Sequence, residues 1–178
     1  MSRKAAAVIR LLVLDVDGVM TDGRLHFGPR GEALKIFHVR DGFGIQQARK
    51  AGIDVAVISG RKSAMVSVRC RELGVRHVFQ GQADKLAAFE QLRSRLDVSA
   101  AACACVGDDV PDVPLMRSVG LAFAVADAHP EARIAAHVVT SLAGGQGAVR
   151  EVCDYLLSAR RTGRASRLAG RKPGIPSR

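Results

Sequence analysis

At 178 residues and 48% apolar content, the chain has the length and composition of one domain with a packed core. Its formal net charge is +10, but seven of the cations lie in residues 158–178, which carry no acid, so the rest of the chain is only about +3. No apolar run is long enough to cross a bilayer and the short basic start resembles no export signal, which predicts a cytoplasmic protein without membrane insertion.

Residues 11–15, LLVLD, read as a buried strand that opens into the loop DVDGVMTDG. Alternate strand residues share a face, so Asp15 and Asp17 can both look into the space beyond the strand's C-terminal end, where open α/β sheets bind ligands. Two carboxylates this close repel each other unless a cation or a shared proton compensates. The plain alternative is a surface turn after a core strand, since Asp and Gly are ordinary turn residues.

From Arg24 to Val39 the pattern changes to two short extended runs around Gly28, Pro29, Arg30 and Gly31, a β-hairpin too short to hold a core of its own. Beyond it, apolar segments alternate with amphipathic ones. Strands are expected at 55–59, 77–79, 103–107, 121–124 and 137–139, and helices at about 42–51, 62–73, 83–96, 111–118, 130–135 and 147–158. Leu86, Phe89, Leu92 and Leu96 form the buried stripe of one such helix. The rhythm predicts an α/β fold, a Rossmann-like parallel sheet flanked by helices, with a small β-hairpin insertion. One domain is expected over residues 1–159. Residues 160–178, basic and containing Gly, Ser and Pro, are expected to form a disordered tail.

Several polar residues fall where strands give way to helices. Ser59 and Gly60 are placed to offer a hydroxyl and backbone N–H groups to phosphate oxygens. Lys85, at the start of helix 83–96, would by itself be an ordinary solvated cation. The cluster GDDVPD at 107–112 supplies Asp108, Asp109 and Asp112, which suit either a metal site or an Asp-rich helix cap. Cys70, Cys103, Cys105 and Cys153 have no metal or disulfide spacing and are expected as reduced, structural thiols. The five histidines are scattered and are assigned no chemistry.

In order and approximate spacing, DVDGVMTDG, ISGR at 58–61, the lone lysine of QADKLAAF at 82–89 and GDDVPD resemble the four motifs of the haloacid dehalogenase superfamily of phosphotransferases. The resemblance implies Asp15 as nucleophile, Asp17 as general acid and base, and Lys85 as the cation that offsets aspartate and phosphate together. It implies Mg²⁺ held by the carboxylates of Asp15 and Asp108 and the backbone carbonyl of Asp17, an all-oxygen set that suits this ion. Asp109 and Asp112 would orient waters or Lys85 from the next shell, unless they serve only as caps. Thr21, Ser59 and Gly60 are candidate phosphate-binding residues.

Further segments extend the likeness: HVRDGFGI, ISGRKSAMV, FQGQADKL, GDDVPDVPLM, VADAHP and GGQGAVREVCDYLL. Over about residues 10–157 the chain resembles the capless 3-deoxy-D-manno-octulosonate 8-phosphate phosphatases of lipopolysaccharide synthesis, with Met20 where leucine is usual. That resemblance implies an anionic sugar phosphate as substrate and a homo-oligomer, a tetramer, whose hairpins meet across subunits. Arg61 and Arg69 are candidates to meet the substrate carboxylate, though Arg69 also reads as an exposed helix arginine. Gly144, Gly145, Gly147 and Arg150 would form a segment that closes a neighbouring subunit's site, or simply the start of a helix. A phosphatase of a nine-carbon sugar acid is the nearest alternative, and a non-catalytic scaffold a more distant one. Nucleic-acid binding through the tail lacks interleaved aromatics and a recognisable module.

Overall fold

A computed structural model describes residues 2–169. In chain order its elements are α1 (Ser2–Ala7), β1 (Leu11–Leu14), β2 (His26–Gly28), β3 (Gly31–Leu34), α2 (Val39–Lys50), β4 (Asp54–Ser59) and α3 (Ala64–Glu72). There follow β5 (His77–Gln80), α4 (Lys85–Arg95), β6 (Cys103–Gly107), α5 (Val113–Met116), β7 (Leu121–Ala124), α6 (Pro130–Ala135), β8 (Val138–Val139) and α7 (Ala148–Ala169).

Six strands form one parallel sheet in the order β5-β4-β1-β6-β7-β8. Strands β1 and β6 are buried along their whole length, as central strands with both faces covered must be. The chain runs outward from β1 through β4 to β5, then returns through α4 to β6 on the other side of β1. That reversal makes the gap between β1 and β6 the topological switch point, the place where open α/β sheets bind ligands. Register brings the strand ends together there. Leu14 stands opposite Val57 of β4 and Val106 of β6, so the residues after each strand emerge side by side. Helices α1 and α2 both pack on α7, and α4, α5 and α6 form a second group. Phe89 and Phe123 are among the largest fully buried side chains of the core between them, and Phe123 meets Tyr155 of α7 edge-on at 5.6 Å.

The strands keep to their expected places, with differences at the ends of the chain. The start is a helix, α1, whose Ala6 is fully buried, ahead of the first strand read from the sequence. Helix α7 continues to Ala169, through the boundary drawn at 159. The guanidinium of Arg160, first residue of the expected tail, donates to the carbonyls of Ala51 and Ile9, so at least this residue belongs to the fold. Residues 170–178 of that tail lie outside the described residues.

The hairpin is present as a separate two-stranded antiparallel sheet. Its register shifts between His26, opposite Leu34, and Phe27, opposite Glu32, which leaves Ala33 without a counterpart. Phe27, Leu34 and Ile36 are exposed along it. The four cysteines are free and buried, and burial pushes the thiols of Cys70 and Cys103 up to about 11 and that of Cys153 to about 12. Thiols in that range are packing groups rather than nucleophiles.

Candidate active site

Beyond the ends of β1, β4 and β6 lies a cleft of about 330 Å³, lined by Asp15, Asp17, Gly23, Ser59, Gly60, Arg61, Lys85, Asp108, Asp109, Pro111 and Asp112. Strand order explains the gathering. Asp15 follows β1, and its N–H donates to Val106 of β6 at 3.2 Å. Ser59 ends β4, and its buried hydroxyl accepts from the N–H of Arg61 at 3.3 Å, which fixes the turn at Gly60. Asp108 follows β6. Lys85 opens α4, whose start is fixed by the Asp84 side chain accepting from Ala87 N at 2.9 Å.

Ligand oxygens of Asp15, Asp108 and Asp112 lie within 4.8 Å of one another. Lys85 Nζ stands 3.0 Å from Asp15 Oδ1 and 2.7 Å from Asp112 Oδ1. Burial pushes the Asp15 carboxyl up to about 6, with Asp112 adding to the effect and Lys85 opposing it. Asp108 rises further, to about 8, through burial and then the charges of Asp15 and Asp112. Burial alone would lower the Lys85 ammonium, but the two carboxylates outweigh it and the net shift is upward. One buried lysine thus leaves a surplus of negative charge, and the donor set is oxygen throughout. Such a site fits a hard divalent cation.

Asp112 both caps the backbone and holds a cation. Its Oδ2 accepts from the N–H groups of Asp108 at 3.0 Å and Asp109 at 3.3 Å, closing a capping box, while Oδ1 holds Lys85. Asp109 caps Val110 N at 2.7 Å and faces the cleft. Gly18 has φ +84, and a Cβ there would come within 3.1 Å of Asp108 Oδ1 and nearer still to its other oxygen. Only glycine lets the loop after Asp17 lie this close to the carboxylates.

Three of the expected places do not line the cleft. Thr21 is buried with its hydroxyl turned into its own loop, donating to Val16 O at 3.4 Å and accepting from Gly23 N at 3.3 Å, so it shapes the loop and does not line the cleft. Arg69 is also outside it. Its guanidinium pairs with Glu72 at 2.9 Å and lies over Phe37 at 6.0 Å. The glycine-rich segment packs on the loop after β1 of its own chain. A Cβ on Gly144 would collide with the Gly18 carbonyl, one on Gly145 would meet Asp22 N at 2.5 Å, and Gly145 N donates to Val19 O at 3.1 Å. Gly147 precedes α7 and Arg150 lies in its first turn, where Arg150 N donates to Asp41 Oδ1 at 2.7 Å and the Arg150 guanidinium stacks on Phe43 at 5.0 Å. The segment is a buttress beneath the loop that carries Asp17.

Two residues of the hairpin went unread in the sequence. Lys35 Nζ donates to Asp17 Oδ1 and lies 3.1 Å from Glu32 Oε1. The signal was available: Lys35 stands between Leu34 and Ile36, both exposed, so this stretch turns its polar side inward.

Residues 74–151 match the family model of the haloacid dehalogenase-like hydrolases, the class that the sheet order and the acidic cleft also define. The Escherichia coli K12 3-deoxy-D-manno-octulosonate 8-phosphate phosphatase is 54% identical over 151 residues, covering 85% of this chain and 80% of that protein. The crystal structure of the Yersinia pestis phosphatase of that name superposes with a TM-score of 0.88 at 49% identity, over 90% of this chain and 86% of the other. The Moraxella catarrhalis phosphatase of that name, in complex with a magnesium ion, a phosphate ion and a KDO molecule, also gives 0.88, at 38% identity over 95% and 97% of the two chains. The chain belongs to the 3-deoxy-D-manno-octulosonate 8-phosphate phosphatase family of haloacid dehalogenase-like hydrolases.

Proposed function

We propose that the chain is a Mg²⁺-dependent phosphatase that hydrolyses 3-deoxy-D-manno-octulosonate 8-phosphate to the free sugar acid and phosphate, a step of lipopolysaccharide precursor synthesis. The observation that carries this reading is the buried Asp15–Asp108–Asp112 cluster with Lys85 at the switch point, in a chain similar to phosphatases of that name. The carboxylates of Asp15 and Asp108 and the carbonyl of Asp17 are the groups to hold Mg²⁺. When bound, the ion neutralises phosphoryl charge and so lowers the cost of bringing an anionic nucleophile to an anionic ester.

The residues divide the remaining work. Lys85 holds Asp15 Oδ1, which leaves the other oxygen of that carboxylate to attack phosphorus. The Ser59 hydroxyl and the N–H groups around Gly60 take the equatorial phosphate oxygens as charge spreads over them. The ester P–O bond breaks as the Asp15–phosphorus bond forms, and the carboxyl proton of Asp17 passes to the leaving sugar oxygen. In the second half, Asp17 as carboxylate takes a proton from the water that cleaves the aspartyl-phosphate. Arg61, at the mouth and 42% exposed, is the cation able to turn to the substrate carboxylate.

This reading also proposes a homotetramer with the hairpin at its interface. The exposed Phe27, Leu34, Ile36 and Phe43 support it, because an apolar surface around an uncapped cleft gains from a covering neighbour. We place the enzyme in the cytoplasm, where four free buried thiols are at home. No helix among the described residues is long and apolar enough to cross a membrane.

The test is phosphate release on a panel of eight- and nine-carbon sugar-acid phosphates, with and without Mg²⁺. We expect Mg²⁺-dependent turnover highest on the eight-carbon ester and lost in Asp15→Asn, an almost isosteric change that removes the nucleophile. Turnover by that variant near the wild-type rate would overturn the assignment of Asp15, and a preference for the nine-carbon ester would move the substrate.

A further inference from the structure

Four charged side chains beside the carboxylate cluster close into a ring at the mouth of the cleft. Lys35 Nζ donates to Asp17 Oδ1, and Arg61 Nε faces Asp17 Oδ2 at 3.4 Å. Both cations are tied to one carboxylate: Glu32 Oε1 lies 3.1 Å from Lys35 Nζ and 3.4 Å from Arg61 Nη2. The two cations differ in freedom. The Lys35 side chain is 2% exposed, and Arg61, at 42%, borders solvent. Lysine is costly to bury this fully unless its partners compensate for lost water, and Glu32 is one of them. The second partner is Asp17.

We propose that Lys35 is a positioning residue that fixes the Asp17 carboxyl in the orientation from which it transfers a proton to the leaving oxygen. The inference rests on the reading of Asp17 as general acid. With Oδ1 held from the hairpin side, Asp17 turns Oδ2 toward Arg61 and the cleft. As an Asp15 oxygen bonds to phosphorus and the ester P–O bond breaks, the Asp17 proton goes to the ester oxygen. A carboxyl released from Lys35 spends much of its time in rotamers that cannot make this transfer. The loss grows with the need of the leaving group for a proton. An alkoxide needs one at once, and p-nitrophenolate does not.

The experiment compares kcat/KM, which reports steps up to formation of the aspartyl-phosphate, on β-glycerophosphate and on p-nitrophenyl phosphate, neither of which carries a carboxylate. Lys35→Met should lose roughly 10- to 100-fold on the alkyl ester, a part of the 10²–10⁴ that a positioned proton donor supplies. On the aryl ester it should lose less than about threefold, the acid role being idle there. Glu32→Gln, which loosens Lys35 from its other side, should show the same split to a smaller degree, and it serves if Lys35→Met proves unstable by thermal melting. Equal losses on both esters, no loss on the alkyl ester, or a loss confined to sugar-acid phosphates would each overturn the proposal. Asp17→Asn is the control that separates it from the acid role itself. If that variant splits the two esters and the Lys35 and Glu32 variants do not, only the positioning role falls; if it shows no split, the acid role falls and the positioning role with it.

Discussion

Lys85 Nζ lies nearer to Asp112 than to Asp15, at 2.7 Å against 3.0 Å. Asp112 is therefore the residue that aims the lysine, and its other oxygen holds the backbone on which Asp108 stands. Asp112→Asn keeps the shape and removes the charge. Turnover should fall about 10- to 100-fold, the usual consequence of losing a partner that orients a ligand or cation. The rate of phosphate release with saturating Mg²⁺ checks this, and a change below twofold would reduce Asp112 to a helix cap.

The raised carboxyl of Asp108 makes the metal-free fold sensitive to pH. It titrates at about 8 in the fold against an ordinary 3.8, so between those values the folded chain holds a proton that the unfolded chain has released. Its contribution to stability is full below pH 3.8 and is lost as pH rises through 8. Asp15 acts in the same direction, up to about pH 6. Melting in EDTA should therefore occur at a lower temperature at pH 8.5 than at pH 6, and Asp108→Asn should shrink that difference. Added Mg²⁺ should stabilise the wild type more at the higher pH. An equal pH difference in wild type and variant would show that Asp108 does not carry it.

Gly144→Ala tests the buttress. The new methyl group collides with the Gly18 carbonyl, which overpacks the support of the Asp17 loop and should cost about 1–3 kcal/mol. Both the melting temperature and turnover should fall, because the loop cannot shift without moving Asp17 and Gly18 against Asp108. A fully active, undestabilised variant would mean that the segment lies elsewhere in the enzyme.

The exposed face of the hairpin should be an interface. Phe27→Glu together with Ile36→Glu places charge on it, and light scattering should show the tetramer replaced by smaller species, with activity falling alongside. A wild-type protein that is fully active as a monomer at assay concentration would refute the assembly.

What the sequence disclosed follows from strand position. Asp15, Ser59 and Asp108 come at the ends of runs whose buried character is plain in the letters, and a parallel sheet brings those ends to one edge. Lys85 was legible only through its motif, because a cation at a helix start looks solvated until Asp15 and Asp112 are seen beside it. Thr21 and Arg69 were misplaced because residue type says what a side chain can bind and not which way it turns; local bonds to Val16 and Glu72 decided both. Gly144 and Gly145 look in sequence like any glycine-rich helix entry, and their closeness to Gly18 and Thr21 depends on how the loop after β1 folds back.

Glu32 and Lys35 are three residues apart, an odd spacing that sends side chains to opposite sides of a regular strand. They turn to one side, where Lys35 meets both Glu32 and the Asp17 carboxylate, because the register shift beside Ala33 inserts one surplus residue and reverses the parity of the chain that follows. Regular pairing that kept Ala33 in the pleat would turn the Lys35 ammonium to the side opposite Glu32 and bring an aliphatic side chain, Leu34 or Ile36, toward Asp17, whereas deleting Ala33 would leave Glu32 and Lys35 two residues apart and on one side. A defect of pairing in a small peripheral sheet is thus what sets the Lys35 charge beside Asp17.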